Sequence, residues 1–263
     1  MLASNMARAR VRLDQLLVER ELAPSRAKAQ ALILAGVVRV AGVRSDKPGR
    51  AVPEDAEVEI DRPDHPWVSR GGVKLAAALE FFGLSPSGCM CLDVGSSTGG
   101  FTHVLLERGA AKVVAVDVGR GLLHERLRND PRVELLEGVN ARFLDGTVVA
   151  GPFDLITVDV SFISLRLVLP ALRLVLAPAG DLVALVKPQF EAGRGQVGSG
   201  GVVRDPAVRE AAITAVLAAA EELGLRVLGR LPSPLPGPAG NVEELVHLRP
   251  ENAGSAGNAA ERP

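Results

Sequence analysis

Two patterns of apolar residues divide the chain. Up to about residue 60, apolar positions at helical spacing predict two short helices, and apolar residues alternate after Gly36 as in short strands. From residue 68 onward, continuous apolar runs alternate with helical patterns. Such runs are typical of parallel strands that are covered on both faces. We therefore predict a doubly wound, Rossmann-like α/β domain preceded by a small α/β module.

These patterns also predict the domain boundaries. Residues 1–9 are expected to be a flexible N-terminus, residues 10–60 a compact module, and residues 61–67 a linker that two prolines keep extended. Residues 68–250 are predicted to form the large domain, and residues 251–263 a disordered tail. Trp67 is the only tryptophan. We expect it to staple the two domains together, with packing beside a cofactor as the alternative.

Charge is distributed unevenly between the two parts. The 263 residues carry a net charge of −1, but residues 1–50 contain ten Lys and Arg against four Asp and Glu. The rest contains twenty basic and twenty-seven acidic side chains. A basic module on an acidic body suggests a polyanionic partner for the module, although arginines that merely keep a small domain soluble give the same balance.

The sequence predicts neither secretion nor a membrane span. The N-terminus has no apolar signal segment, and no run of about 18 apolar residues lacks charge or proline. Cys89 and Cys91 lie at strand spacing, and we interpret them as reduced core residues of a cytoplasmic protein. The four histidines are scattered, so no metal site is expected. We also expect the protein to be a monomer.

A glycine-bearing turn lies in the stretch CLDVGSSTGGFT, residues 91–102. An apolar strand ends in Asp93, the turn contains Gly95, Gly99 and Gly100, and an amphipathic helix follows. Glycines at such a turn allow a nucleotide-type cofactor to approach the backbone closely. The stretch therefore predicts a cofactor site.

Charged residues follow three later apolar strands, at Asp117, Asp159 and Lys187. Parallel strands place such residues at one edge of a sheet, so we expect a site there. The G-x-G-x-x-G spacing of NAD sites does not occur, and Asp117 is positioned to bind ribose hydroxyls. A ribose site without a pyrophosphate-binding turn favours S-adenosyl-L-methionine over NAD.

The first module contains the segments RLDQLL, SRAKAQALI, GVVRVAG and KPG, which resemble the S4-like RNA-binding fold. The resemblance implies that basic side chains of the second helix and the following strands contact structured RNA. The implied residues are Arg12, Arg26, Lys28, Arg39, Arg44 and Lys47. Aromatic residues are few here, so recognition of RNA shape and backbone fits better than base stacking.

Longer motifs in the large domain resemble the TlyA family, whose members were first named haemolysins. These motifs are VSRGGVKL, DVGSSTGGFTHVLL, DVSFISL, LVKPQFEAGR, GGVVRD and SPLPGPAGNVEEL. The resemblance implies an FtsJ-like methyltransferase domain that uses S-adenosyl-L-methionine to methylate the ribose 2′-hydroxyl of ribosomal RNA. It further implies cytidine as the target, in one or both ribosomal subunits, and a catalytic tetrad of Lys74, Asp159, Lys187 and Glu243.

The same resemblance and the turn imply the cofactor contacts. They are Ser69, Asp93, Gly95, Ser97, Gly99, Gly100, Phe101, Asp117, Asn140 and Asp159. Three residues depart from the usual family pattern. His103 occupies a position that is usually acidic, Leu122 one that is usually glutamine, and Glu125 one that is usually aromatic. They lie beside the cofactor loop and leave the shape of the adenosine pocket open.

The tetrad suits methylation of a hydroxyl. A sulfonium methyl is already activated, whereas a ribose hydroxyl must lose its proton as it attacks. Lysine cations would stabilise the developing alkoxide, and carboxylates would hold the lysines in place. We expect Lys187 to lie closest to the hydroxyl, assisted by Asp159.

Three other functions stay open at this point. A non-catalytic ribosome-binding or assembly factor predicts loss of the tetrad, which is intact. A membrane-active haemolysin predicts a signal peptide or a basic amphipathic helix, and the sequence contains neither. A methyltransferase acting on a base amine predicts an N-P-P-Y-like turn after the fourth strand, where DVSF stands instead.

Overall fold

The computed structural model describes residues 10–61 and 65–251. The predicted flexible N-terminus, part of the predicted linker and all but the first residue of the predicted tail lie outside these ranges.

The N-terminal module packs two helices against short strands. Its elements are β1 (Arg10–Arg12), α1 (Leu13–Glu19), α2 (Arg26–Leu34), β2 (Val38–Val40), β3 (Val43–Arg44), β4 (Ala51–Pro53) and β5 (Val58–Ile60). Strand β2 pairs antiparallel with β3 and β5, and β1 pairs antiparallel with β4. The two helices and β2 share a small core in which Leu13, Leu17 and Ile33 are fully buried.

Helix α2 begins and ends where the sequence predicts. The Ser25 hydroxyl accepts a hydrogen bond from the Lys28 amide, which satisfies a donor that the first turn leaves free. Gly36 follows the helix with φ +75°, a conformation that glycine adopts without strain.

The larger part of the chain forms a seven-stranded sheet. Its strands are β6 (Met90–Val94), β7 (Lys112–Asp117), β8 (Val133–Glu137), β9 (Phe153–Val158), β10 (Leu176–Val186), β11 (Leu225–Pro232) and β12 (Glu244–Pro250), in the order β11-β12-β10-β9-β6-β7-β8. The five strands β6 to β10 run parallel, and β12 and β11 add an antiparallel edge. The strand order reverses between β6 and β9, and ligands bind at such a switch point.

Helices cover both faces of this sheet, as predicted. They are α3 (Gly71–Phe82), α4 (Gly100–Glu107), α5 (Glu125–Arg128), α6 (Leu169–Val175), α7 (Pro188–Glu191) and α8 (Pro206–Glu222). Apolar residues of α6 and α8 pack on one face, and those of α3 and α4 on the other. The helix predicted at GLLHERLRND is only one turn long, because Gly121 has φ +69° and the His124 ring caps the helix just before Glu125.

Arg70, rather than Trp67, ties the two parts together. The Arg70 guanidinium forms an ion pair with Asp46 of the N-terminal module, and its side chain lies against Gly36. The Trp67 ring instead contacts the ring of His103 edge-on, with 5.5 Å between centroids, and lies over Gly72. These Trp67 contacts are within the large domain, so the staple interpretation was wrong.

Candidate active site

A cavity of about 670 Å³ lies at the carboxyl ends of β6, β9 and β10. The large domain contributes the glycine turn, the N-terminal end of α3 and the segments that follow β9 and β10. Residues 46–50 of the N-terminal module form another part of its wall. The volume suits a ligand of cofactor size, and the position is the switch point of the sheet.

The turn glycines allow protein segments to approach one another. A Cβ on Gly95, where φ is +84°, would lie 2.5 Å from the carbonyl oxygen of Asp159. A Cβ on Gly99 would collide with Leu127, and one on Gly100 with the Ser69 hydroxyl. The glycines therefore allow the turn to pack closely against the segments that contain Asp159, Leu127 and Ser69. The sequence pattern did not predict this packing role.

Asp93 lies beneath the turn and does not line the cavity. Its side chain is fully buried, and its carboxylate accepts hydrogen bonds from the hydroxyls of Thr102, at 2.6 Å, and Thr157, at 3.2 Å. Burial, with a contribution from the charge of Asp159, raises the pKa of Asp93 to about 7, although the two hydroxyls oppose the shift. The predicted cofactor contact by Asp93 is therefore corrected to a supporting role.

Replacing Asp93 by asparagine is expected to reduce the pH dependence of stability. The pKa of Asp93 in the folded chain exceeds the unfolded value of about 3.9, so the free energy of unfolding falls as pH rises from about 4 to about 7. A neutral amide avoids this loss, and relative to wild type the variant should gain up to about 4 kcal/mol over that range. Urea unfolding at about pH 4.5 and about pH 8, near the two ends of the titration, measures the difference. Parallel pH profiles in both proteins would contradict the buried carboxyl.

Lys187 and Asp159 form an ion pair at the cavity. Lys187 directly follows β10, Asp159 directly follows β9, and the Lys187 Nζ atom lies 2.6 Å from Asp159 Oδ1. The ammonium also donates to the Ser161 hydroxyl at 2.9 Å. Burial acts to raise the pKa of Asp159, but the charges of Lys187 and Lys74 outweigh it and the pKa is lowered. Asp159 is therefore a carboxylate at neutral pH.

A second ion pair lines the same cavity. The Lys74 Nζ atom, on α3, lies 2.6 Å from Oε2 of Glu243, which comes directly before β12. Both side chains are buried, and Gln189 donates a hydrogen bond to the other Glu243 oxygen at 3.4 Å. The structure thus brings the four tetrad residues predicted from the family resemblance to one cavity.

The remaining predicted cofactor residues fall into two groups. Ser69, Gly95, Ser97, Gly100 and Phe101 line the cavity. Gly99, Asp117 and Asn140 are not among the lining residues. The Asp117 carboxylate accepts hydrogen bonds from the amides of Ser97, at 2.8 Å, and Gly119, at 2.7 Å, so it also braces the turn. The Asn140 side chain accepts a hydrogen bond from the Arg142 amide and caps a short 3₁₀ turn.

The cavity offers polar atoms that a cationic cofactor would satisfy. Ser96 Oγ and Gln189 Oε1 are buried without a hydrogen-bond partner within the described chain, and both residues line the cavity. Buried polar atoms normally find partners, so acceptor groups left free here indicate room for a ligand that donates. An amino or hydroxyl group of S-adenosyl-L-methionine fits that requirement.

The three residues that depart from the family pattern lie in different surroundings. His103 is buried, its Nδ1 atom accepts a hydrogen bond from the Val68 amide at 3.2 Å, and burial lowers its pKa. It therefore anchors the segment that leads to Ser69. Leu122 packs beside Gly119, and Glu125 begins α5.

The predicted RNA-binding residues differ in how they are held. Arg12 and Arg26 both bind Asp14, Arg12 through two hydrogen bonds of 3.0 and 2.9 Å and Arg26 through one of 3.0 Å. These arginines and Gln30 lower the pKa of Asp14 well below its usual range, against the opposing effect of burial. Arg26, on α2, thus also links that helix to Asp14 of α1, whereas Arg12 comes directly before α1.

The other four lie elsewhere on the module. Arg39 forms an ion pair with Asp61, and Arg44 lies on β3. Lys28 lies close enough to His124 of the large domain for its charge to help burial lower the pKa of that histidine. Lys47 is exposed at the cavity.

The sequence interpretation missed Phe162 as a site residue. Its side chain is 92% exposed, its φ is +66°, and its ring lies 5.2 Å from that of Phe190. Both residues line the cavity that also contains the four predicted tetrad residues. A positive φ on a bulky residue is strained, and such strain concentrates at functional sites. The only signal in the sequence was an aromatic residue three positions after Asp159.

Comparisons with known proteins agree with this fold. Residues 67–250 match the FtsJ-like methyltransferase family, and residues 11–58 match the S4 domain. The chain accordingly consists of an FtsJ-like methyltransferase domain preceded by an S4 domain. This confirms the predicted fold class.

Individual relatives assign the chain to a more specific family. The 16S/23S rRNA (cytidine-2′-O)-methyltransferase TlyA of Mycobacterium tuberculosis is 53% identical over 93% of this chain and 91% of its own. The 23S rRNA (cytidine-2′-O)-methyltransferase TlyA of Campylobacter jejuni is 37% identical over 72% of this chain and 74% of its own. A solved Streptococcus thermophilus structure, described as a hemolysin, has a TM-score of 0.71 and 42% identity over 94% of this chain and 92% of its own. The chain belongs to the TlyA family.

None of the helices within residues 10–61 and 65–251 has the length and apolar character needed to cross a membrane.

Proposed function

We propose that the chain transfers the methyl group of S-adenosyl-L-methionine to the 2′-hydroxyl of cytidine in ribosomal RNA. The observation that carries this proposal is the pair of buried lysine–carboxylate contacts at one cavity, beside the glycine turn. A site that only bound RNA would gain little from burying two ion pairs, because their desolvation is costly.

The tetrad supports methylation of a hydroxyl oxygen. Bound S-adenosyl-L-methionine supplies an activated methyl group, so the protein's task is to position the hydroxyl and stabilise the charge that develops on its oxygen. Lys187 is held by Asp159 and Ser161, which leaves the ammonium fixed at the cavity. We propose that Lys187 contacts the attacking oxygen and that Lys74, held by Glu243, completes the clamp.

The cofactor side of the cavity is proposed to lie at the turn. Ser69, Ser97 and Phe101 line it there, and Ser96 Oγ is a buried acceptor without a partner in the described chain. Asp117 accepts hydrogen bonds from two amides of the turn and retains lone pairs that can accept hydrogen bonds from ribose hydroxyls.

The acceptor side is proposed to receive a nucleotide from folded RNA. The S4 domain brings basic residues to the cavity, and the exposed ring of Phe162 offers a face on which a base can stack. The relatives' names support cytidine as the target. The M. tuberculosis relative, more similar than that of C. jejuni, is named for both 16S and 23S rRNA, so we propose both subunits as substrates of a monomeric, cytoplasmic enzyme.

Transfer of tritiated methyl groups from S-adenosyl-L-methionine to isolated ribosomal subunits tests this function. We expect label in the RNA of both subunits, at nucleotides whose 3′ linkage resists alkali because the 2′-oxygen is methylated. Label confined to bases, or to ribosomal protein, would refute ribose methylation. Label in one subunit only would restrict the substrate without changing the chemistry.

A further inference from the structure

The loop Asp46–Arg50 of the N-terminal module, sequence DKPGR, forms a wall of the catalytic cavity. We refer to it as the 46–50 loop. All five of its residues line the same cavity as the tetrad. The cavity is therefore built from both modules.

The 46–50 loop carries two cations without an acidic partner. Lys47 and Arg50 are exposed, and no carboxylate of the described residues lies within salt-bridge distance of either. The Arg50 guanidinium donates a hydrogen bond to the Ser45 hydroxyl at 3.3 Å, which leaves its charge without a carboxylate partner among the described residues. By contrast, Arg12 and Arg26 share the buried Asp14. The unpaired cations at the cavity are thus the ones ready to receive an anion.

The backbone of the 46–50 loop is fixed in place. The amides of Leu13 and Asp14, at the start of α1, donate to the carbonyls of Arg50, at 2.9 Å, and Pro48, at 3.0 Å. Within the loop, the Arg50 amide donates to the Lys47 carbonyl at 3.0 Å. Cations on a rigid loop lose less freedom when they bind than cations on a mobile one.

The first residue of the 46–50 loop contacts the large domain. Asp46 forms an ion pair with Arg70, which directly precedes the helix that carries Lys74. The position of the loop relative to the tetrad is therefore set by a direct contact between the modules.

Cations at this cavity suit the chemistry of the proposed acceptor. A ribose 2′-hydroxyl is a neighbour of the 3′-phosphodiester, so the phosphate brings negative charge close to the oxygen on which further negative charge develops. We propose that Lys47 and Arg50 bind the phosphodiester next to the target ribose and so position its 2′-hydroxyl at Lys187. This inference rests on the proposed function and makes Arg50 a positioning residue.

Replacing Arg50 by alanine in the full chain tests the assignment. At fixed KCl, we expect kcat/KM for ribosomal subunits to fall about tenfold, the size of one hydrogen bond to a charged group. The slope of log kcat/KM against log KCl concentration should become less steep by about one, because one phosphate contact is lost. The Kd for S-adenosyl-L-methionine, measured by calorimetry, should not change. Arg50→Lys should restore most of the slope, since it restores the charge.

Two further variants make the result decisive. Lys47→Ala should change the salt slope in the same way, whereas Arg226→Ala should not, because Arg226 is exposed on β11 away from the cavity. An unchanged slope in both cavity variants, in an enzyme whose wild type methylates rRNA, would overturn this inference alone. Loss of S-adenosyl-L-methionine binding would also count against it. If wild type methylates no ribosomal subunit, the proposed function itself fails.

Discussion

Lys187→Ala is expected to lower kcat for rRNA methylation by about 10³-fold, within the range seen when a charge-stabilising donor or a proton-transfer group is removed. The ammonium is fixed by Asp159 at 2.6 Å and by Ser161 at 2.9 Å, so it is already oriented at the cavity before the substrate binds. Single-turnover transfer of tritiated methyl to ribosomal subunits measures the loss at the chemical step.

Cofactor binding distinguishes this effect from unfolding. The Kd for S-adenosyl-L-methionine should stay within about threefold of wild type, a difference of about 0.6 kcal/mol. The reason is that Asp93 and Asp117, and not Lys187, hold the turn that forms the cofactor side. Lys112→Ala provides a matched control: Lys112 also flanks a strand and pairs with Glu134, but at the amino end of β7. Methyl transfer by Lys187→Ala at the rate of that control would remove Lys187 from the mechanism.

Much of the fold was predictable because its determinants are local. Apolar runs followed by glycine turns specify strand–turn–helix units wherever they occur, and Ser25 and Gly36 mark the ends of α2 within a few residues of sequence. The charged residues after β9 and β10 were predictable for the same reason, since parallel strands end at one edge.

The failures concern contacts between distant parts of the chain. Trp67 was expected between the domains because of its size, but Gly72 and His103 provide a surface for it within the large domain. Asp93 looked like a ligand-binding residue, whereas Thr157, on another strand, helps to bury it. Lys74 and Glu243 lie 169 positions apart, so no local pattern could pair them, and only the family resemblance did.

Breaking the ion pair between Lys74 and Glu243 is the second change for which we expect a large effect. Lys74→Met is expected to lower the free energy of unfolding by about 3–5 kcal/mol, because it leaves the buried Glu243 carboxylate without its cation. Glu243→Gln should cost less, since the remaining side-chain oxygen can still accept a hydrogen bond from the Lys74 ammonium. Urea unfolding of both single variants and of the double variant measures these costs.

The double variant separates stability from catalysis. With both charges removed, no uncompensated ion is buried, so the double variant should be more stable than Lys74→Met alone, with a coupling free energy of about 2 kcal/mol or more. Its methyl-transfer rate, however, should stay as low as that of the less active of the two single variants. The reason is that a neutral pair cannot stabilise charge on the attacking oxygen. Recovery of both stability and rate in the double variant would show that the pair only holds α3 against the segment before β12. Recovery of stability without rate is the outcome expected if Lys74 acts on the reacting ribose.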